Sequence, residues 1–330
     1  MNTSTKSSIS RELHPGHDYC DINVVLPSWF KLESGESLSA PQINIRIHGS
    51  AEHPAVIASG GISSGRIVAD TPGEKGWWAN IAGAGRAIDP DDFCIIAFDF
   101  LPNDGERARG ITTADQAHAL AYALDILKID QLHAFVGASY GGMVALKFAA
   151  EFPERVKKLC VISASDKAHP AATAIRGIQR RVIEFATNNG NAAGGVNLAR
   201  QLAMITYRSA EEFETRFSPN VPNKETDLFP VCEYLTARGR AYAMEPTRYL
   251  TLSHSIDLHR VAPERIKAET LMVGATTDSL VPIADVNRTA LAIPGGRCLE
   301  INSIFGHDAF LKETAAIGAA ITSVINESEQ

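Results

Sequence analysis

The sequence has no run approaching eighteen consecutive apolar residues, so no membrane-spanning helix is expected, since a span needs about 20 of them. Residues 1–10 are polar and lack an apolar h-region, so no secretory leader is expected there. Positive charge does not dominate either, with 31 Lys and Arg against 38 Asp and Glu and a net charge of −7. A phosphate backbone needs a basic field, which excludes nucleic acid as the main partner. Cysteine is scarce and scattered: Cys20, Cys94, Cys160, Cys232 and Cys298 are odd in number and mostly sit in apolar runs such as Phe93-Cys94-Ile95-Ile96. That usage implies reduced thiols serving as small core residues, and hence a cytoplasmic protein. Residues 14–20, His-Pro-Gly-His-Asp-Tyr-Cys, bunch possible metal ligands, but no second cluster at ligand spacing accompanies them. A plain turn before the first strand is expected there, with no metal. Repeats and low-complexity tracts are absent.

What is present is an alternation of short β-branched runs with helical segments. It is the pattern of an α/β fold: a mostly parallel sheet with helices on both faces. Residues 43–48 and 55–59 read as early strands, and 93–98, 132–136 and 158–162 as buried central ones. Residues 113–128 read as a helix, with Thr113 as N-cap and Leu120, Leu124 and Leu127 on one face. The alternation stops near Ser163, and residues 166–261 look helical and irregular until strand character returns at 270–273 and 298–301. The expected organisation is a sheet domain in two parts, residues 1–165 and 263–330, interrupted by a helical cap over 166–262.

Gly137-Ala138-Ser139-Tyr140-Gly141 has the form G-x-S-x-G, with a strand before it and a helix (142–152) after it. In that context the serine sits on a sharp turn, and flanking glycines let strand and helix approach. The helix N-terminus aims its free N–H groups at the site and favours negative charge there. Serine needs a base, and the base an orienting acid, supplied in this architecture in the order Ser, Asp or Glu, His from loops after later strands. Asp278, in Thr276-Thr277-Asp278, and His307, in Phe305-Gly306-His307-Asp308, fall in those places. A turn-forming aspartate and an exposed loop histidine are the bland alternatives, and the shared order argues against both together. An oxyanion hole is expected from the backbone N–H groups of Tyr140 and of Gly61, in the loop Gly60-Gly61-Ile62-Ser63.

Further motifs are Gly76-Trp77-Trp78, Gly141-Gly142-Met143, Ile205-Thr206-Tyr207-Arg208-Ser209, Ser255-Ile256-Asp257 and Gly306-His307-Asp308-Ala309-Phe310-Leu311. By these the chain resembles the homoserine O-acyltransferase family, which has the α/β-hydrolase fold and serves methionine biosynthesis. The resemblance implies a ping-pong transfer from an acyl-CoA co-substrate to L-homoserine through acyl-Ser139, with no other cofactor. It also implies that Arg208 binds the substrate carboxylate and Asp308 its ammonium group, and that a homodimer forms through the cap. By themselves, Arg208 could be a helix-end cation and Asp308 a cap of the following helix. Arg176, Arg180 and Arg181 read either as CoA-phosphate ligands or as a solvated helix face. Two departures from the family lie near the acyl pocket: Tyr140 where a Met is usual, and a shortened loop over residues 98–103. Succinyl-CoA is favoured over acetyl-CoA, because Arg66 is spaced to reach the far carboxylate of a four-carbon acyl group; the alternative is that it faces solvent or pairs with Asp70. An esterase or thioesterase with the same three residues, and a silent binding protein on the same fold, are the rival functions.

Overall fold

The computed structural model describes residues 9–14, 18–103, 108 and 110–326. Strands β1 (Ile9–Leu13), β2 (Tyr19–Val25) and β3 (Gln42–His48) form an antiparallel edge. The first two escaped the sequence reading because β1 is exposed along its whole length and β2 alternates only weakly. Residues 15–17 of the histidine-rich segment lie outside the described residues.

From β4 (Ala55–Ser59) and β5 (Cys94–Phe98) the sheet turns parallel, through β6 (Leu132–Ala138), β7 (Val156–Ile162), β8 (Glu269–Ala275) and β9 (Arg297–Ile301). Among the described residues the order is β1-β2-β3-β5-β4-β6-β7-β8-β9, with β3 and β5 antiparallel and every later pair parallel. Central strands covered on both faces read as unbroken Val, Ile and Ala rather than as alternation, and β5 is buried at every residue.

Helices α1 (Thr113–Leu127) and α2 (Tyr140–Glu151) bury their apolar sides in the core on one face. The N-cap of α1 is Thr112 rather than Thr113: its hydroxyl accepts from the Ala114 and Asp115 N–H groups, and Asp115 reaches back to the Thr112 N–H. Only a residue in extended backbone can turn its hydroxyl onto the first helical amides, and Thr113 is already helical.

Between β7 and β8 the chain leaves the sheet and forms α3 (Pro170–Asn188), α4 (Ala192–Tyr207), α5 (Ala210–Phe217), α6 (Pro230–Arg240) and α7 (Pro246–Leu258). This cap has a small core of its own, built on Ile183, Val196, Ala199, Tyr249 and Leu250. His259 fastens it to the sheet domain: Nδ1 lies 2.7 Å from Thr113 Oγ1 and Nε2 3.1 Å from the Ser165 carbonyl. Complete burial pushes this imidazole down to about 3, so it is neutral, donating from Nε2 and accepting at Nδ1. The chain then closes with α8 (Ile283–Ala292), α9 (Ala309–Lys312) and α10 (Thr314–Ile325). Helix α8 joins the core of α1 and α2, whereas α10 packs with Trp78, Ile81 and Ile88 on the opposite face.

Candidate active site

Ser139 occupies the step from β6 to α2 with φ +54° and ψ −121°, a conformation costly for any residue with a side chain. The turn is tight enough to demand glycine around it. A Cβ on Gly137 would lie 2.5 Å from the Gly141 carbonyl oxygen, and one on Gly141 would lie 2.6 Å from the Ser59 backbone. The Gly141 N–H donates to the Gly60 carbonyl at 2.7 Å, so the loop after β4 is tied to the start of α2. A Cβ on Gly61 would stand 4.0 Å from Ser139 Oγ, which puts that loop beside the serine.

Ser139 Oγ lies 2.8 Å from His307 Nε2, and His307 Nδ1 lies 2.7 Å from Asp278 Oδ2. The other carboxylate oxygen accepts from the Leu280 and Val281 N–H groups at 2.9 and 3.0 Å, which fixes the acid in place. Since an ionised carboxylate only accepts, Nδ1 carries the proton and Nε2 is free to take one from the serine. His307 sits in a short 3-10 turn, Gly306–Asp308, where Gly306 has φ +56° and a Cβ would meet the Tyr207 carbonyl at 2.8 Å. Burial disfavours the charged imidazole, but the charge and hydrogen bond of Asp278, with help from Asp308, raise it above its ordinary 6.5.

Above the serine, between sheet and cap, lies a cavity of about 240 Å³ whose wall includes Gly61, Tyr140, Arg200, Tyr207 and Asp308. Behind Asp308 is Arg208, only 4 % exposed, with Nη2 3.1 Å from Asp308 Oδ2 and Nη1 on Glu212. Burial raises the Asp308 carboxyl above its ordinary range although the nearby Arg208 pulls it down.

A family profile described as alpha/beta hydrolase fold matches residues 71–314. A homoserine O-succinyltransferase of Xanthomonas campestris is 41% identical over 291 residues, covering 86% of this chain and 79% of that one. The chain belongs to the homoserine O-acyltransferase family. A homoserine O-acetyltransferase of Thermus thermophilus is 36% identical over 73% of this chain and 70% of its own. The solved homoserine O-acetyltransferase of Bacillus anthracis superposes with a TM-score of 0.85 at 17% identity, covering 98% of this chain and 99% of that one, a likeness of fold.

Within this acyltransferase, Tyr140 and the loop over residues 98–103 meet each other. The Tyr140 ring packs edge-on against Phe100 of the short loop at 4.7 Å, and its hydroxyl lies 2.7 Å from Ser255 Oγ on α7. Arg248 Nη1, also from α7, donates to the Phe100 carbonyl at 2.9 Å. Tyr140 therefore ties the elbow both to the loop over residues 98–103 and to the cap.

Arg66 does not serve as expected. Nη1 donates to Asp99 at 2.7 Å and Nε to Asp21 at 3.2 Å, so two acids already hold its fork on the β2–β3 side of the sheet. Spacing had put Arg66 within reach of an acyl chain, but the loop turns at once, with the Ser64 N–H on the Gly61 carbonyl, and carries Arg66 away from the serine. Asp70, the alternative partner, pairs with Lys75 instead. Arg208 also differs from the bare clamp expected, since it already grips Glu212 and Asp308. Arg176 and Arg180 are no solvated face: both contact Asp257 at 2.7 Å. Sequence reasoning missed Arg200, which lines the cavity. The available signal was that it is the lone charged residue of the apolar stretch 196–207.

Proposed function

We infer that this enzyme transfers an acyl group from acyl-CoA to the hydroxyl of L-homoserine through an acyl-Ser139 intermediate. The observation that carries this is the Ser139–His307–Asp278 relay under a cap, one residue from a buried Arg208–Asp308 pair. In the first half-reaction Ser139 Oγ attacks the thioester carbonyl and its proton passes to His307 Nε2. The Gly61 and Tyr140 N–H groups receive the oxyanion, and the CoA thiolate leaves with the proton from His307. In the second, His307 takes the proton of the homoserine hydroxyl as that oxygen attacks the acyl-serine. The tetrahedral adduct then expels Ser139, which recovers the proton, and O-acylhomoserine departs. No metal or redox cofactor takes part.

A zwitterion suits the Arg208–Asp308 pair. Inserted between them, homoserine replaces one internal ion pair with two, its carboxylate on Arg208 and its ammonium on Asp308, while Glu212 keeps Arg208 in place. Succinyl-CoA is the favoured donor, supported by the relative named homoserine O-succinyltransferase. A cytoplasmic site of action accords with the five free cysteines.

The experiment is CoA release from succinyl-CoA. A single burst is expected without acceptor, and steady turnover once homoserine is added. Propanol, which has the hydroxyl but neither charge, should not replace it. Steady turnover without acceptor would make the enzyme a thioesterase and end this reading.

The proposal extends to a homodimer through the cap. In its favour, Ile178 and Phe185 on α3 and Leu198 on α4 are 45%, 73% and 56% exposed and line one groove on the cap, and contiguous exposed apolar residues mark interaction surfaces. Light scattering should give twice the chain mass, and Phe185→Asp should shift it toward the monomer. A monomeric wild type at micromolar concentration would exclude the dimer.

A further inference from the structure

The hydrogen bonds of the relay join His307 to Ser139 and Asp278, and none of them reaches the loop that carries Gly61. Acyl transfer needs the oxyanion donor and the base in register at the same moment, and an error of about 1 Å can cost about 100-fold in rate. The Gly76-Trp77-Trp78 motif, which takes no part in the chemistry above, is bonded to both sides. Trp77 Nε1 donates to the Gly65 carbonyl at 3.0 Å, and a Cβ on Gly60 would meet the Trp77 ring at 2.6 Å. This indole therefore holds the oxyanion loop on either side of Gly61. Trp78 is buried and turns its Nε1 to the Phe310 carbonyl at 3.0 Å. Phe310 comes three residues after His307, and its ring stands edge-on to the imidazole at 6.0 Å.

We propose that Trp77 and Trp78 act as one positioning pair, which holds the oxyanion loop and the base at a fixed separation while Ser139 is acylated and deacylated. This rests on the acyl-serine reading above. The two rings are stacked, 4.9 Å apart and inclined by 13°, so neither can tilt without displacing the other. Their backbone is fixed as well. The Trp77 N–H donates to the Ile67 carbonyl and the Trp78 N–H to that of Val68, each at 3.0 Å. A Cβ on Gly76 would lie 2.5 Å from the Val68 carbonyl oxygen, so the approach of these two segments excludes a side chain there. The links run in series, from the Gly61 loop through Trp77, Trp78 and Phe310 to His307. Indole suits both positions because it combines a broad apolar face with a single N–H donor. Both carbonyls need that donor: Gly65 lies in an irregular loop, and Phe310 in a helix of four residues that cannot satisfy its own last turn.

The test is the burst of nitrophenolate as p-nitrophenyl acetate acylates Ser139, read as a rate constant and a half-saturating concentration. The burst amplitude counts folded sites, so the rate constant belongs to folded enzyme alone. Trp77→Phe and Trp78→Phe keep an apolar ring and lose the donor. Each should lower the rate constant tenfold or more and move the half-saturating concentration less than twofold. Transfer to homoserine uses the same donor and base, so its kcat should fall alongside with the homoserine KM unchanged. Because the links are in series, the double variant should be at most twofold slower than the slower single one. Ile321→Val, in the same apolar cluster as Trp78, should lower the melting temperature and leave the burst rate as in wild type. A burst rate kept within twofold by either single variant overturns the proposal, as does a loss in Ile321→Val equal to theirs. Losses that multiply in the double variant would make the indoles two separate props, which also overturns it. If the wild type gives no burst, the acyl-serine reading fails, and the same losses in steady nitrophenolate release then decide for or against the pair. If homoserine never accelerates turnover, the transferase reading fails while the pair stands on its burst rates.

Discussion

Replacing Ser139 by alanine should lower acyl transfer to homoserine by about 10⁴-fold or more, and mass spectrometry of the variant should find no acylated peptide after incubation with acyl-CoA. The size follows from the covalent route: without Oγ, 2.8 Å from the base, acyl transfer must proceed by direct attack in a site shaped for two displacements. His307→Ala should cost nearly as much, and the double variant little more, because the groups act as one unit. The same serine carries a positive φ of 54°. Ser139→Gly, equally inactive, should therefore be stabilised by about 1 kcal/mol as that strain is relieved, read as a melting temperature a few degrees higher. Retention of more than about a tenth of the activity by Ser139→Ala would rule out the acyl-enzyme.

Asp278→Asn should cost about 10³- to 10⁴-fold in kcat with the fold intact. The carboxylate accepts from His307 Nδ1 at 2.7 Å and is itself held by two backbone N–H groups. Asparagine can keep the packing, yet its amide can present an N–H toward Nδ1 and stabilise the wrong tautomer, leaving Nε2 protonated and useless as a base. The pH profile provides a second reading. His307 acts only when neutral, and Asp278 raises its pKa above 6.5 against the opposing effect of burial. Wild-type acylation should therefore rise with pH through an inflection above 6.5. In Asp278→Asn the residual activity should inflect at lower pH, since the group that raised the histidine is gone. A wild-type inflection below 6.5, or one that Asp278→Asn leaves in place, would remove Asp278 from the role of orienting acid.

Much of the molecule was legible from residue order. Buried parallel strands are continuous apolar runs, and G-x-S-x-G between a strand and a helix has a local cause, the close approach visible at Gly137 and Gly141. Asp278 and His307 could be found because each follows its own strand, β8 and β9. The first two strands and the helices α5 and α6 were not legible. β1 and α5 are largely exposed, and β2 and α6 are mostly half-buried, so burial imposes no clear period on them.

Sequence by itself determined the fold, the family and the residues that meet around Ser139, because these depend on local turn chemistry and on strand order. Only the tertiary structure decided which anions and rings each arginine meets. Arg66 stands five residues past Gly61 in the chain, yet Asp21 on β2 and Asp99 just after β5 converge on it and neutralise it. Arg200 lies far from the serine in sequence, yet the cap folds it over Tyr207, whose ring lies beside that of His307. The physical reason is that a guanidinium takes the anions nearest to it in space, and spacing along a loop determines its reach but not its direction.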